Sequence, residues 1–423
     1  MNKQYRSNSN REPDVLNSRL GMPRFKWSMA LLGLCVYTFV IISMFIPVAQ
    51  LGIAIGVVGL LMDPKPVLMP LPFRLFLALL LWALLSVFTS PFSAVSMDAL
   101  IERFKLLVVM LLVLNALRTE GQLRFYLLLI LGCFILFPAR GTFIGGNTLG
   151  GRAVWTGMYE NPNDLASLCL LALGIANAII FSETAWTFVR LGAATSALIL
   201  LVVILRTQSR GAFLGVMFAT VPALVPLLLK QLRLAIGLGI VLTLVISFTI
   251  PPKTWDRLTG MKNLGSTDTA ELAATNESYS SALQRMEILQ TGWHIFVDHP
   301  IFGVGLGTYP LACNLYSPTL GKRDTHNTYL NVAAELGLPG FLIWCSLMAS
   351  VLLHAYRIRR RAKESLLKIY NYWLGQTIIG YLVAAIFATS SGLNLLYMML
   401  SVLWCSAELL AKASPSQVQN TGT

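Results

Sequence analysis

Charge is scarce in this sequence: Asp, Glu, Lys and Arg make up only 12% of its 423 residues, about half the share of an ordinary soluble domain. With 56% hydrophobic residues and a mean hydropathy of +0.67, that scarcity excludes a water-soluble globular class. No Asp-X-Asp occurs, so the closely spaced carboxylates that hold a divalent ion against phosphate are missing. Five cysteines (Cys35, Cys133, Cys169, Cys345 and Cys405) lie inside apolar runs and only Cys313 lies in a long connection, which leaves no disulfide framework or zinc spacing. The internal repeat that marks many secondary carriers is not evident. Residues Met1 to Lys26 are polar and no small-residue cleavage site follows them, so the first span is expected to be an uncleaved signal anchor.

What the chain has in place of charge is long apolar runs, among them Trp27–Pro47, Leu71–Thr89, Leu191–Leu205 with its flanks and Leu234–Ile250. A spanning helix needs roughly 20 predominantly apolar residues, and this rule yields an all-α polytopic membrane protein of about twelve transmembrane helices. The expected organisation is a cytoplasmic tail over 1–26, a transmembrane bundle over 27–412 and a short polar tail over 413–423. A large external (periplasmic) loop over 251–325 interrupts the bundle. The formal charge of +13 is a topology signal and does not point to nucleic acid. Lys and Arg collect in Lys3–Lys26, at Arg118 and Arg124, at Arg190, at Lys230 and Arg233, and in Arg357–Lys368. Alternating spans put all of these on the cytoplasmic side, as the positive-inside rule requires.

The large loop is more than a linker. Leu283, Met286, Leu289, Trp293 and Phe296 or Val297 recur at helical spacing, which predicts an amphipathic helix laying that face on the bundle. Gly303, Gly305 and Gly307 then alternate in "HPIFGVGLGTYP". They fit a tight turn back to the membrane; a phosphate cradle is the competing reading.

A few cations fall on the external side, where the charge rule disfavours them. Arg140 and Arg152 flank the first external loop, Arg206 and Arg210 sit in "LRTQSRGAF", and Arg285 belongs to the amphipathic segment. One such arginine can snorkel to headgroups at little cost. Several together form a fork-shaped, permanently charged site that matches phosphate oxygens, as in a lipid-linked diphosphate. In "YENPNDLAS", Asn161 can cap a helix, Pro162 can open it and Asp164 can sit in its first turn, and Asn161 and Asn163 can also offer a polar edge to a sugar or phosphate. In "KRDTHNTYLNVAAELGLPGF", Asp324 or Thr325 is expected to cap a helix opened by His326, whose positive end favours a neutral, proton-accepting imidazole. Asn327, Asn331 and Glu335 follow at intervals of four and form one stripe toward the bundle. A polar seam between helices explains Glu335. His326, close to the external arginines, fits a catalytic base, and Asn327 beside it is a candidate substrate contact.

In this order "NPNDLA", "TQSRGA", Arg285 followed by Trp293, "HPIFGVGLGTY" and "HNTYLNVAAELGLPGF" resemble the O-antigen ligase and polymerase family of bacterial envelope glycosyltransferases. The resemblance covers Gly157 to Phe341; the first five spans carry no recognised motif. It implies a periplasmic site in the inner membrane that moves a glycan from undecaprenyl diphosphate to an acceptor hydroxyl, with inversion at the anomeric carbon. For a ligase the acceptor is a lipid A-core sugar, in lipopolysaccharide biosynthesis; for a polymerase it is another lipid-linked glycan; for related enzymes it is a protein side chain. On this pattern Arg210 and Arg285 bind the diphosphate and His326 takes the acceptor's proton. Arg152 and Arg206 match the charge logic but no family position.

The sequence therefore favours a ligase-type enzyme that needs no metal or other cofactor, with membrane lipids, the lipid-linked donor and the acceptor as partners. A lipid or solute transporter is the rival, but it needs polar groups near the midplane and access from both sides, whereas these residues gather at the external edge.

Overall fold

The computed structural model describes residues 27–44, 48–182, 187–230, 277–389 and 392–413. The predicted tails, the Leu234–Ile250 span and the first part of the large loop lie outside them. Helices dominate: α1 (Met29–Ser43), α2 (Ala49–Met62), α3 (Leu71–Thr89), α4 (Ser93–Ala116), α5 (Glu120–Phe134), α6 (Arg140–Ile144), α7 (Pro162–Ser182), α8 (Phe188–Arg206), α9 (Arg210–Lys230), α10 (Glu277–Asp298), α11 (Tyr309–Tyr316), α12 (Thr328–Arg361), α13 (Leu366–Ala384) and α14 (Asn394–Ala413). Among the described residues, six stretches are long and apolar enough to cross a membrane: α3, Glu120–Ile144, α7, α8, α12 and α14. The shorter apolar helices are α1, α2 and the Arg210–Pro222 part of α9. This is a polytopic membrane architecture built of helices, with one two-stranded hairpin as its only β-structure among the described residues.

Helix starts follow local chemistry. The hydroxyls of Ser28, Thr119, Thr187 and Ser365 accept the otherwise unpaired N–H of Leu31, Gln122, Arg190 and Lys368. Pro138 does not end its helix: the backbone widens into a π turn over Ile135–Ala139 and α6 continues to Ile144. Where helices cross closely, glycines meet backbone. A Cβ on Gly52 would stand 2.5 Å from Tyr37 N, and one on Gly215 would stand 2.5 Å from Gly380 O. Without water to drive association between apolar helices, such close backbone packing is a main attraction.

α12 is continuous in the chain but broken at Gly337 (φ 66°, ψ −175°), with Pro339 just beyond. Proline lacks an N–H, so the Glu335 carbonyl loses its helical donor; the N–H of Gly305 replaces it at 3.0 Å. Val304 N–H donates to Ala334 O at 3.0 Å, Leu338 N–H donates to Pro300 O at 2.7 Å, and Trp82 Nε1–H donates to Leu336 O at 2.8 Å. The glycine loop 303–307 is therefore laid into the break as a substitute for the missing helical bonds. Gly303, Gly305 and Gly307 all have positive φ (69°, 107° and 74°), and a Cβ on Gly303 would overlap the Glu335 carbonyl. The turn reading of these glycines describes what they do.

Glu335 completes that seam. Its carboxylate, 5% exposed, accepts the backbone N–H of Tyr309 at 3.2 Å and bonds the Gly307 N–H and the Asn331 side chain. It anchors the loop onto α12.

The amphipathic helix exists as α10, but it is rotated from the predicted orientation. Ile288, Thr291 and Ile295 are buried, while Met286, Trp293 and Val297 are more than half exposed at 58%, 57% and 52%. The cause is a close approach at Gly292, where a Cβ would meet Leu330 at 2.9 Å and the Tyr309 hydroxyl at 3.0 Å. Ile288 and Ile295 then fill a small second core with Val304, Tyr309, Cys313 and Leu320. The larger apolar side chains face outward.

Candidate functional site

The site gathers at the end of the bundle where α7, α9 and α12 begin. At its edge, β1 (Thr148–Leu149) pairs antiparallel with β2 (Arg152–Ala153). The two linking glycines, Gly150 and Gly151, both take positive φ (58° and 75°), the requirement of a type I′ hairpin turn whose twist matches its strands. This hairpin aims Arg152. Its Nε donates to the Thr207 carbonyl at 2.8 Å and its guanidinium donates to Asn163 Oδ1 at 2.7 Å.

Those two contacts tie the hairpin to the neighbouring helix starts. Asn161 and Pro162 behave as predicted: the Asn161 carbonyl accepts Leu165 N–H at 3.0 Å, and its side chain accepts Asn163 N–H at 2.9 Å. Thr207 lies in the turn between α8 and α9, and the Ser209 carbonyl accepts the Phe213 N–H at 3.0 Å, so Arg210 opens α9. Arg206, the last residue of α8, faces another way, with its guanidinium 5.2 Å from the centre of the Phe143 ring.

α12 starts two residues later than the sequence indicates, at Thr328. Asn327 is the cap, its side chain accepting Leu330 N–H at 3.0 Å, and neither Asp324 nor Thr325 serves. The reason is the backbone of His326, which is left-handed at φ 51° and so precedes the helix. Asn327 is spent on capping and does not line the cleft; Thr325 instead shares a hydroxyl hydrogen bond of 3.0 Å with Thr389.

A cleft of about 480 Å³ opens at this point, lined by Arg152, Asn161, Asn163, Arg285, Arg323 and His326, with Glu160 and Gln284 at its border. That size is within the range of roughly 300–1,000 Å³ usual for small-ligand sites. Arg210 does not line it but is close enough to Arg285 that their charges oppose each other: with burial, this pushes the Arg285 guanidinium below its ordinary value. The His326 imidazole is also lowered, first by burial and then by Arg285, with Arg323 and Arg152 adding and the Asp324 carboxylate working against them. An imidazole shifted toward its neutral, proton-accepting form thus stands among three guanidiniums, with Arg210 acting on one of them. Guanidiniums from the hairpin, α10 and the loop before α12 are thus brought to one cleft, and such groups have the geometry to bond phosphate or carboxylate oxygens.

Sequence reasoning placed Arg152, Arg210, Arg285 and His326 together; it missed Arg323. The signal was present in "KRDTHN", where a second external cation stands three residues before the histidine. Among the described residues, no three His, Cys, Asp or Glu side chains gather as a metal-binding group.

Comparison with known proteins matches residues 195–345 to the family model described as O-Antigen ligase. That interval carries Arg210, Arg285, Arg323 and His326 and leaves the hairpin outside. The chain is also similar to the teichuronic acid biosynthesis protein TuaE of Bacillus subtilis (strain 168), with 27% identity over 128 residues. The similar stretch covers 30% of this chain and 26% of that protein. The family resemblance read from the motifs and the family-model match thus coincide over residues 195–341, which carry Arg210, Arg285, Arg323 and His326 but not Arg152, Asn161 or Asn163.

Proposed function

We propose that this protein is a glycosyltransferase of the O-antigen ligase type, moving a glycan from undecaprenyl diphosphate to an acceptor hydroxyl on the periplasmic side of the inner membrane. The observation that carries the reading is the convergence of Arg152, Arg285 and Arg323 with His326 on one cleft, and of Arg210 on Arg285. Arg210, Arg285 and Arg323 hold the diphosphate and stabilise the charge it gains on departure. Arg152, held by Thr207 and Asn163, sets the cleft's edge, and Asn161 and Asn163 border the first sugar. Arg206 contributes to the field without touching the donor. His326 removes the acceptor's proton as its oxygen attacks the anomeric carbon from the face opposite the diphosphate, so the configuration inverts.

α12 supports the proposed side of the membrane. Its 34 residues would extend about 51 Å at 1.5 Å per residue, more than the roughly 30 Å of a hydrocarbon core. His326 precedes one end and Arg357–Arg361 occupy the other, so positive-inside orientation puts the histidine outside. The exposed Met286, Trp293 and Val297 stripe of α10 suits the headgroup boundary of the outer leaflet, where a lipid-linked donor presents its diphosphate. The twelve-span arrangement, with both tails cytoplasmic, completes this topology.

The acceptor is assigned as a lipid A-core sugar. A polymerase acting on a second lipid-linked glycan is the alternative, favoured by the similarity to a protein whose name concerns biosynthesis of a polymer, teichuronic acid. Purified protein given undecaprenyl-diphosphate glycan with lipid A-core separates the two. Capped core supports the ligase, and longer lipid-linked chains made without core support the polymerase. Donor left unbound and unconsumed in both arms would sink the glycosyltransferase reading.

A further inference from the structure

A second cavity of about 210 Å³ lies on the other side of the histidine's loop, lined on its polar wall by Arg103, Asp324, Asn331, Glu335 and Thr389. It has no lining residue in common with the basic cleft. The loop alternates between them: Arg323 and His326 face the cleft, and Asp324 faces the cavity. Thr389, whose hydroxyl accepts the backbone N–H of His326 at 2.9 Å, also lines the cavity; the His326 imidazole lines the cleft, and the Asp324 carboxylate in the cavity wall is near enough to act on it.

The two chambers differ in charge. Three arginines line the cleft, against one carboxylate, Glu160. The cavity sets Asp324 and Glu335 against Arg103, and a phosphate there would meet a carboxylate at close range. Arg103 is held by donating to the Gly392 carbonyl at 2.6 Å, which leaves a planar group fixed in the wall. The deeper lining is aromatic: the Phe76 and Tyr397 rings lie 4.7 Å apart, and Trp344 Nε1–H donates to the Tyr397 hydroxyl at 3.3 Å. Planar hydrogen-bonding groups on one side and aromatic carbon on the other are the two surfaces a sugar ring presents partners for, its hydroxyls and its C–H face.

In-line displacement gives this second chamber a use. The diphosphate departs from one side of the anomeric carbon, so the attacking hydroxyl must come from the opposite side, within reach of the base. We propose that the cavity bounded by Arg103, Asp324 and Asn331 receives the terminal sugar of the acceptor glycan and extends its hydroxyl past Asp324 to the His326 imidazole in the cleft. The assignment rests on the glycosyltransferase reading above. In the step, the acceptor O–H proton passes to a ring nitrogen of His326 and the oxygen's electron pair forms the new C–O bond. The bond from the anomeric carbon to the diphosphate oxygen breaks, and its electron pair leaves with the diphosphate toward the arginines.

The test uses the purified full-length protein with undecaprenyl-diphosphate oligosaccharide as donor. Lipid A-core is the acceptor in one arm and a second molecule of the lipid-linked glycan in the other, and kinetics are read in the arm that supports transfer. Ala99, on α4, lines the cavity and not the cleft, so Ala99→Phe narrows the acceptor chamber alone. Arg103→Gln removes a charged hydrogen-bond partner without adding bulk. Each should raise the apparent KM for acceptor by about 10-fold or more, the effect of losing one such bond, while donor affinity measured by direct binding stays within about 2-fold. Retained donor binding also shows that each variant is folded. Normal acceptor dependence in Ala99→Phe overturns the acceptor assignment alone, as does a loss confined to donor affinity in both variants. A wild-type protein that binds no lipid-diphosphate glycan overturns the glycosyltransferase reading and the acceptor assignment together.

Discussion

The backbone N–H of His326 donates to the Thr389 hydroxyl at 2.9 Å, and this bond holds the histidine in a left-handed conformation, φ 51°, that side chains other than glycine adopt at a cost. The neighbouring Thr328 strengthens the same junction, its hydroxyl donating to the Ala388 carbonyl at 2.6 Å and its N–H to the Ala385 carbonyl at 2.9 Å. If His326 acts as the proposed base, Thr389 is its positioning residue. Thr389→Val, close in shape but without the hydroxyl, should lower kcat by roughly 10-fold, the worth of one buried hydrogen bond of about 1–2 kcal/mol, with donor affinity unchanged. Thr389→Ser should restore kcat. Equal loss in both variants would mean that side-chain packing, and not the bond to His326, matters at this position.

The acid limb of the rate should report on His326 and its cationic neighbours. Burial and the charges of Arg285, Arg323 and Arg152 lower its affinity for a proton, and Asp324 raises it. A base lowered in this way remains neutral to more acidic pH than a free imidazole, whose pKa is about 6.5. The wild-type kcat/KM, which reports the unliganded protein, should therefore hold below that value before falling. Removing a neighbouring positive charge relieves the imidazolium of repulsion, so Arg285→Gln should move the acid limb of kcat/KM to higher pH, and Asp324→Asn should move it lower. His326→Ala should reduce turnover by about 10²–10⁴-fold and abolish the limb. A limb unmoved by both charge changes would assign it to another group.

In the proposed diphosphate site the planar forks of the arginines are expected to count beyond their charge. A lysine keeps the charge but offers a single point of contact. Arg285→Lys and Arg323→Lys should each weaken donor binding by about 1–3 kcal/mol, the worth of a hydrogen bond to a charged group, with normal accumulation in the membrane. Arg210→Lys should act more weakly, since Arg210 does not line the cleft and acts on Arg285 through its charge. Full donor affinity in all three lysine variants would return these arginines to headgroup contacts.

The parts of this site that were legible in the sequence are those fixed by local chemistry. Asn161 and Pro162 open α7 because capping depends on neighbouring residues alone, and the Arg210, Arg285 and His326 pattern stands out against an external face poor in cations. The orientation of α10 was not legible. Periodicity assumes that the most apolar face turns inward, away from water; here Met286 and Trp293 face outward and Thr291 and Gly292 face in, an arrangement that makes sense where the surroundings are themselves apolar. Arg103 could not be connected to Asn331 because nothing in the pattern of α4 says which helix it faces. The Gly150–Gly151 pair is the local signature of the hairpin that lies within the first external loop of the sequence reading.

Gly337 sets the break on which the glycine loop is laid. Its φ of 66° and ψ of −175° belong to a region open essentially to glycine, and a Cβ there would overlap the Ile301 carbonyl oxygen. Gly337→Ala should destabilise the protein by at least about 1–3 kcal/mol, read as a lower thermal midpoint in detergent. Pro339→Ala restores an N–H that competes with that of Gly305 for Glu335 O without adding a clash, so its midpoint should change far less. Equal midpoints for both variants would show that the break is not set at Gly337.

Transfer should continue in excess chelator, and the reason lies in what faces the leaving group. Many routes to a departing diphosphate use a divalent ion held by paired carboxylates. Here three guanidiniums line the cleft, with Glu160 as its carboxylate, and that side chain already accepts the Gly157 N–H at 3.1 Å. Although Arg285 is lowered by burial and by Arg210, a guanidinium starts above about 12 and keeps its charge at any working pH. Fixed positive charge is therefore in place before the bond to the diphosphate breaks, and it needs no reorganisation as the oxygens gain charge. Purified protein stripped with chelator should retain its rate with lipid-diphosphate glycan and acceptor, and added magnesium or manganese should change it by less than about 2-fold. A rate abolished by chelator and restored by one of these ions would transfer the role of electrophile from the arginines to a metal, with Glu160 the first carboxylate to substitute.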